Sequence, residues 1–231
     1  VFCPTASFNM NVASFFSKWL KDVAADQQES GAIPHVIPNV LSHGKTEGAS
    51  ASAGWADAGV IIPWDIYKFY GDTRILEQQY NSMKAWVEYQ RKRAGDSYLW
   101  TQDFTFGDWL AFNTTRSDYP GATTDKDLIS SAFFAYSTSI LQKTAEVLSR
   151  DADASEYGEL LKKIKNEFSN EFITSTGRLS SNTQTAYTLA LAFDLVPESL
   201  RTKAAKRLAD DVNQFKHITT GFLGTPLICH V

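Results

Sequence analysis

The sequence predicts an all-α protein, a helical toroid in which buried helices alternate with amphipathic ones. Three observations predict it. Every periodic stretch repeats its apolar residues at helical spacing, and none alternates like a strand. Two stretches, one within Gly54–Gly71 and one over 183–195, are apolar nearly all round, which marks buried helices. The connections also sort by length. Long loops near 28–56, 95–122, 173–182 and 214–221 lead into buried helices, and tight turns near 71–72, 150–153 and 195–197 lead back. With helices alternating up and down, all the long loops fall at one end, and binding residues concentrate on long loops held by a rigid scaffold. A solenoid of helix pairs would show the same alternation, but no fixed-period repeat is present.

The elements follow in order. Residues 4 to 27 read as one amphipathic helix with Phe8, Val12, Phe15, Phe16, Trp19, Leu20 and Val23 on its stripe. Gly31 to Ala53 is a loop with Pro34, Pro38 and two histidines. Gly54 to Gly71 then presents Trp55 and Asp57 at the mouth of a buried helix, which Pro63 either starts or kinks. Gly71-Asp72 is a tight turn with Asp72 as N-cap for a helix over 73–94, whose basic end (Arg91, Lys92, Arg93) suits a helix C-terminus. Thr124 with Asp127 reads as a capping pair for a helix reaching about 149, and Asp153 with Glu156 as another for the next. A loop around Gly177 precedes the buried helix 183–195. Pro197 fits the first turn of the helix after it, and His217 to Thr225 leads into the start of a further one, about eight in all.

The bulk properties narrow the function classes. The 231 residues are 43% hydrophobic, enough for one domain with a sizeable core. The net charge of −4 is spread evenly, so no basic stripe for nucleic acid exists. No apolar run reaches membrane-span length. Cys3 and Cys229 read as small buried hydrophobes, and the four histidines fall in no metal-ligand spacing, so neither metal nor cofactor is expected. Asn113-Thr114-Thr115 is a glycosylation sequon. The chain starts without Met and stops within an apolar run, which reads as a piece of a longer protein whose compartment is not encoded here.

Two places join a carboxylate to an indole at the long-loop end: Trp55/Asp57 and Asp108/Trp109. Carboxylates accept hydrogen bonds from sugar hydroxyls, and flat indoles cover the apolar face of a sugar ring. A carboxylate pair can also do acid–base work, as in glycoside hydrolysis. The same residues carry a plainer reading, in which Asp57 caps the buried helix, Asp108 caps a turn and the two indoles plug the toroid. No nucleophile elbow, P-loop or dinucleotide fingerprint is present. Spacing alone therefore reaches a helical barrel suited to sugar.

Several words of the sequence say more. They are Phe2-Cys3-Pro4-Thr5-Ala6-Ser7-Phe8-Asn9-Met10, Ala53-Gly54-Trp55-Ala56-Asp57-Ala58, Val60-Ile61-Ile62-Pro63-Trp64 and Phe106-Gly107-Asp108-Trp109-Leu110. Asn182-Thr183-Gln184-Thr185-Ala186-Tyr187 and Thr219-Thr220-Gly221-Phe222-Leu223-Gly224-Thr225-Pro226 complete the set. In this order the chain resembles, along nearly all its length, the catalytic domain of the bacterial and fungal α-L-rhamnosidases, glycoside hydrolase family 78.

The resemblance implies an (α/α)6 barrel and inverting hydrolysis of terminal α-L-rhamnosides. In that family the general-acid Glu lies just before the position of Val1. The general-base Glu lies in an Ile-Trp-Glu-like stretch beyond Gly-Phe-Leu-Gly-Thr-Pro. Neither motif is in this chain, so the resemblance carries over only a sugar-facing set: Trp55 and Trp109 as walls, with Asp57 and Asp108 beside them as hydroxyl partners or supports of the walls. The partner implied is a rhamnose-containing glycoside or polysaccharide. Competing readings are another glycosidase or a lyase on the same barrel, a helical carbohydrate-binding module without an acid–base pair, and a helical protein-interaction solenoid.

Overall fold

A computed structural model describes residues 1–41, 50–112 and 123–231. The sequon Asn113-Thr114-Thr115 lies outside the described residues. Among the described residues there are eight α-helices and two short 3₁₀ turns: α1 (Cys3–Asn9), α2 (Ala13–Asp26), α3 (Ala58–Tyr70), α4 (Arg74–Ala94), α5 (Lys126–Val147), α6 (Asp151–Phe172), α7 (Gln184–Ala192) and α8 (Glu198–Phe215). The described residues contain no strand, only the isolated bridges Pro34–Ser50 and Ile173–Leu179. None of their helices is long and apolar enough to cross a membrane. The chain divides into two compact units, one of residues 1–93 and 136–161, the other of 94–135 and 162–231.

In the first unit, α1 and α2 pack against α3. They are two helices rather than the single one expected over 4–27. Met10 is extended (φ −149°, ψ 156°), and the Asn9-Met10-Asn11 run supplies side chains that compete for backbone groups. The Tyr70 hydroxyl repairs the break. It accepts from the Val12 N–H at 3.0 Å and donates to the Met10 carbonyl at 3.3 Å. The change of direction takes Phe8 and Phe15 off the stripe, leaving them 81% and 63% exposed, while Phe16, Leu20 and Val23 stay buried.

Helix α3 is less uniformly buried than expected. Val60, Pro63 and Ile66 face inward, and Ile61, Ile62 and Trp64 are half-buried. Pro63 lies inside the helix rather than at its start. Gly71 ends it in the left-handed region (φ 71°), with its N–H on the Tyr67 carbonyl. Asp72 then accepts from the Arg74 N–H at 3.0 Å, just ahead of α4.

Helix α4 and the first part of α6 are joined by polar rungs. The Tyr80 hydroxyl donates to Asp153 at 2.6 Å, and Lys84 reaches the other oxygen at 3.0 Å. The Tyr157 hydroxyl donates to Glu88 at 2.9 Å, and Arg91 meets Glu156 at 2.6 Å. Tyr80 and Lys84 meet α6 at Asp153, and Glu88 and Arg91 meet it further on at Tyr157 and Glu156, so α4 and α6 run side by side in the same direction. Asp153 and Glu156 therefore do not form the expected capping box; α4 takes both side chains.

In the second unit α7 packs against α8. Residues 184–191 are buried on every side, as the uniform apolar pattern requires. Thr183 caps α7 by accepting from the Ala186 N–H, and Pro197 is the residue just before α8. The cap of α5 is Asp125, which accepts from the Leu128 N–H at 2.8 Å; the expected capping pair of Thr124 with Asp127 does not form, and Asp127 instead accepts from the Gln102 N–H at 2.7 Å. Both cysteines are free thiols. Cys3 is buried, which with the nearby Asp65 pushes its pKa up to about 11, but Cys229 is exposed, against expectation. The end of the chain forms a 3₁₀ turn over Ile228–His230.

Candidate functional site

The two indole–carboxylate pairs fall in different units, the first carrying Trp55/Asp57 and the second Asp108/Trp109. Their construction is alike.

Before α3 the chain makes a turn in which the Ser52 carbonyl accepts from the N–H groups of Trp55 and Ala56. Gly54, at φ 80°, turns its own N–H onto Asp57 at 2.7 Å. The remaining donors come from helix interiors. Trp86 Nε1 lies 2.9 Å from Asp57 Oδ1, Gln90 Nε2 3.2 Å and Ser137 Oγ 2.5 Å. Asp57 is 0% exposed. Its backbone precedes α3, but its side chain makes no cap bond to that helix. Burial pushes its pKa above the ordinary carboxylate value, and the bonds from Ser137, Trp86, Gly54 and Gln90 oppose that rise. Trp55, two residues before it, is half-buried.

The second pair is closed as tightly. Asp108 is also 0% exposed. Its Oδ2 accepts from the Gly221 N–H at 2.7 Å and from the Thr185 hydroxyl. Its Oδ1 accepts from the N–H groups of Leu223 at 2.8 Å and Gly224 at 3.2 Å. These partners fill the roughly four acceptor positions a carboxylate offers. The turn that Asp108 caps is thus more than a hundred positions away in sequence, separated from it by 113 to Gly221. The segment is held from other sides too. The Trp109 carbonyl accepts from the Phe222 N–H at 2.9 Å, and the Thr219 carbonyl from the Phe112 N–H at 3.0 Å. Gln184, at the start of α7, accepts from the Thr219 N–H at 2.8 Å. Glycine is required at 221, where a Cβ would lie 2.3 Å from the Trp109 carbonyl oxygen. Trp109 is half-buried and meets Phe106 edge-on at 5.6 Å; Phe106 meets Phe104 the same way at 5.0 Å.

Both aspartates are therefore spent on internal donors, while both indoles keep part of their surface open. Sequence reasoning selected these four residues but missed the donors: Trp86, Gln90, Ser137, Thr185 and the turn amides. A buried carboxylate must find donors, so the need was legible. Which residues meet it depends on tertiary contacts. Asp103, another acid on the same loop, accepts from Trp100 Nε1 at 2.6 Å. A polar groove of about 400 Å³ in the second unit, lined by Thr101, Gln102, Asp125, Asp127 and Glu171 among others, contains none of the four. Among the described residues no group of three His, Cys, Asp or Glu side chains could hold a metal ion.

Comparison with known proteins decides the family. The family model for the bacterial alpha-L-rhamnosidase 6 hairpin glycosidase domain matches residues 1–231. The chain belongs to this α-L-rhamnosidase six-hairpin family. It is 39% identical to an alpha-L-rhamnosidase of Formosa agariphila and 38% identical to one of Streptomyces avermitilis, covering 100% of this chain in both cases. It spans 24% and 21% of those proteins, so it corresponds to about a quarter of a rhamnosidase of that size. Among solved structures it is similar to the Streptomyces avermitilis alpha-L-rhamnosidase complexed with L-rhamnose (TM-score 0.89, 37% identity, 99% of this chain and 21% of that one). It is likewise similar to the Aspergillus terreus enzyme (TM-score 0.90, 36% identity, 99% and 27%). The helices of this family member thus follow the six-hairpin, (α/α)6 fold of the solved rhamnosidases.

Proposed function

We propose that this chain is the sugar-wall segment of an α-L-rhamnosidase that hydrolyses terminal α-L-rhamnosides with inversion. Trp55 and Trp109 are the walls, and Asp57 and Asp108 are positioning residues that fix the backbone beside each wall. The observation that carries the reading is the pairing of a half-open indole with a fully closed carboxylate, found twice. A group that gives or takes a proton in the reaction must come within hydrogen-bond reach of the substrate or a water. Among the described residues Asp57 and Asp108 meet internal donors and have no exposed surface, which argues against their being the acid and base. The family resemblance assigns those roles to glutamates in the parent protein beyond both ends of this segment. The crystal complex of the Streptomyces relative with L-rhamnose supports the sugar class.

The test follows the anomeric proton during hydrolysis of an aryl α-L-rhamnoside by the full-length parent. Inversion releases the β anomer first, because one displacement by water reverses the configuration. Release of the α anomer first would overturn inversion. Rhamnose release by the isolated 231-residue chain at the parent's rate would overturn the placement of acid and base outside it.

A further inference from the structure

The turn that Asp108 holds carries one residue whose side chain takes no part in holding it. Thr219, Thr220, Gly221, Leu223 and Gly224 are all buried, and their amides, carbonyls or hydroxyls are engaged with Gln184, Asp108 and Phe112 or with Thr225. Phe222 stands between them with its side chain 47% exposed. Its backbone N–H is fixed to the Trp109 carbonyl, so the exposed ring belongs to the same rigid piece as the half-open indole. A lone exposed apolar residue is ordinary. This one is not alone, because Phe104, Leu110 and Phe112 on the Trp109 loop are also exposed, at 46% or more. A clamped loop that keeps aromatic surface open beside a candidate sugar wall is preorganised for an apolar, flat group, because its backbone is already ordered before binding.

We infer that Phe222 is a specificity-determining residue, packing against the flat apolar aglycone of the glycoside whose sugar Trp109 covers. The inference rests on the rhamnosidase reading above. The two aromatic residues then have different roles. Trp109 meets every substrate through the sugar, and Phe222 meets only those with an apolar leaving group.

The experiment compares the full-length parent with its Phe222→Ala and Phe222→Tyr variants on 4-nitrophenyl α-L-rhamnoside and methyl α-L-rhamnoside. Phe222→Ala raises KM for the aryl substrate about tenfold with kcat within about twofold, as loss of one aromatic contact made equally in ground and transition states requires. Its kcat/KM for the methyl substrate stays within about twofold of the parent's, and Phe222→Tyr restores the aryl KM. Equal losses on both substrates, or no loss on either, would overturn the assignment. A parent that releases rhamnose from neither substrate would overturn the rhamnosidase reading and this inference with it. A parent that releases rhamnose while Phe222→Ala matches it on both substrates overturns the inference alone.

Discussion

Asp108 holds the N–H of Gly221 at 2.7 Å across 113 positions of sequence, and through that bond the loop carrying Trp109 and the turn carrying Phe222 become one piece. Asp108→Ala removes the acceptor of three buried backbone donors and of the Thr185 hydroxyl. Each buried donor left unmade costs about 1–3 kcal/mol, so local opening of the turn becomes easier by at least about 3 kcal/mol. Hydrogen exchange of a peptide spanning 219–225 in the full-length protein checks this. The expected result is exchange faster by about a hundredfold or more. Unchanged protection would mean that the clamp is not what orders the turn.

Gly221→Ala attacks the same junction from the opposite side. The new methyl would lie 2.3 Å from the Trp109 carbonyl oxygen and 2.6 Å from that of Asp108, both backbone atoms that cannot swing away. Overpacking of this kind costs about 1–3 kcal/mol or more. In the parent, kcat/KM on an aryl α-L-rhamnoside falls by about tenfold or more as Trp109 is displaced. Full activity with unchanged thermal stability would contradict the packing described here.

Asp57 gives a pH signature. Burial raises its pKa in the folded state above the ordinary value of 3.8. Between that value and the raised one, the folded protein keeps a proton that the unfolded chain has released. The group's contribution is therefore complete below the ordinary aspartate range and is lost as pH rises through the folded value. Asp57→Asn abolishes this slope. The thermal midpoint of the wild-type parent minus that of the variant should shrink as pH rises from about 4 to 8. A gap that widens with pH would mean that the donors from Ser137, Trp86, Gly54 and Gln90 outweigh burial.

The rungs between α4 and α6 predict non-additivity. Tyr80 and Lys84 both bind Asp153, on different oxygens. Tyr80→Phe costs about 1.5–3 kcal/mol by losing a hydrogen bond to a charged group. Combined with Lys84→Ala, the two losses depart from additivity by about 0.5 kcal/mol or more, because they act through one carboxylate. Urea unfolding of the two single variants and the double variant measures this. Strict additivity would show that the rungs act independently.

Periodicity located the helices because an apolar stripe and a buried face both leave a local trace. It missed the break at Met10 because the apolar stripe continues across the two asparagines that weaken the helix there, and the bonds that fix the break come from Tyr70, 58 positions from Val12. The capping pairs failed for a similar reason. Thr124/Asp127 and Asp153/Glu156 match a local pattern, yet Asp127 is taken by Gln102 and the second pair by α4. For the candidate site, the sequence shows which carboxylates stand beside indoles. That each is closed off by donors from distant segments is decided by packing. Gly221 was present among the recognised words, but its role depends on Trp109 lying against it.

The most direct measurement is kcat/KM of the full-length parent on an aryl α-L-rhamnoside beside its Trp109→Ala and Trp55→Ala variants, each first shown to be folded. Loss of a stacking wall worth about 2 kcal/mol lowers kcat/KM by about thirtyfold in either variant. A folded Trp109→Ala and a folded Trp55→Ala that both retain the parent's kcat/KM would contradict the account, leaving the indoles as packing alone.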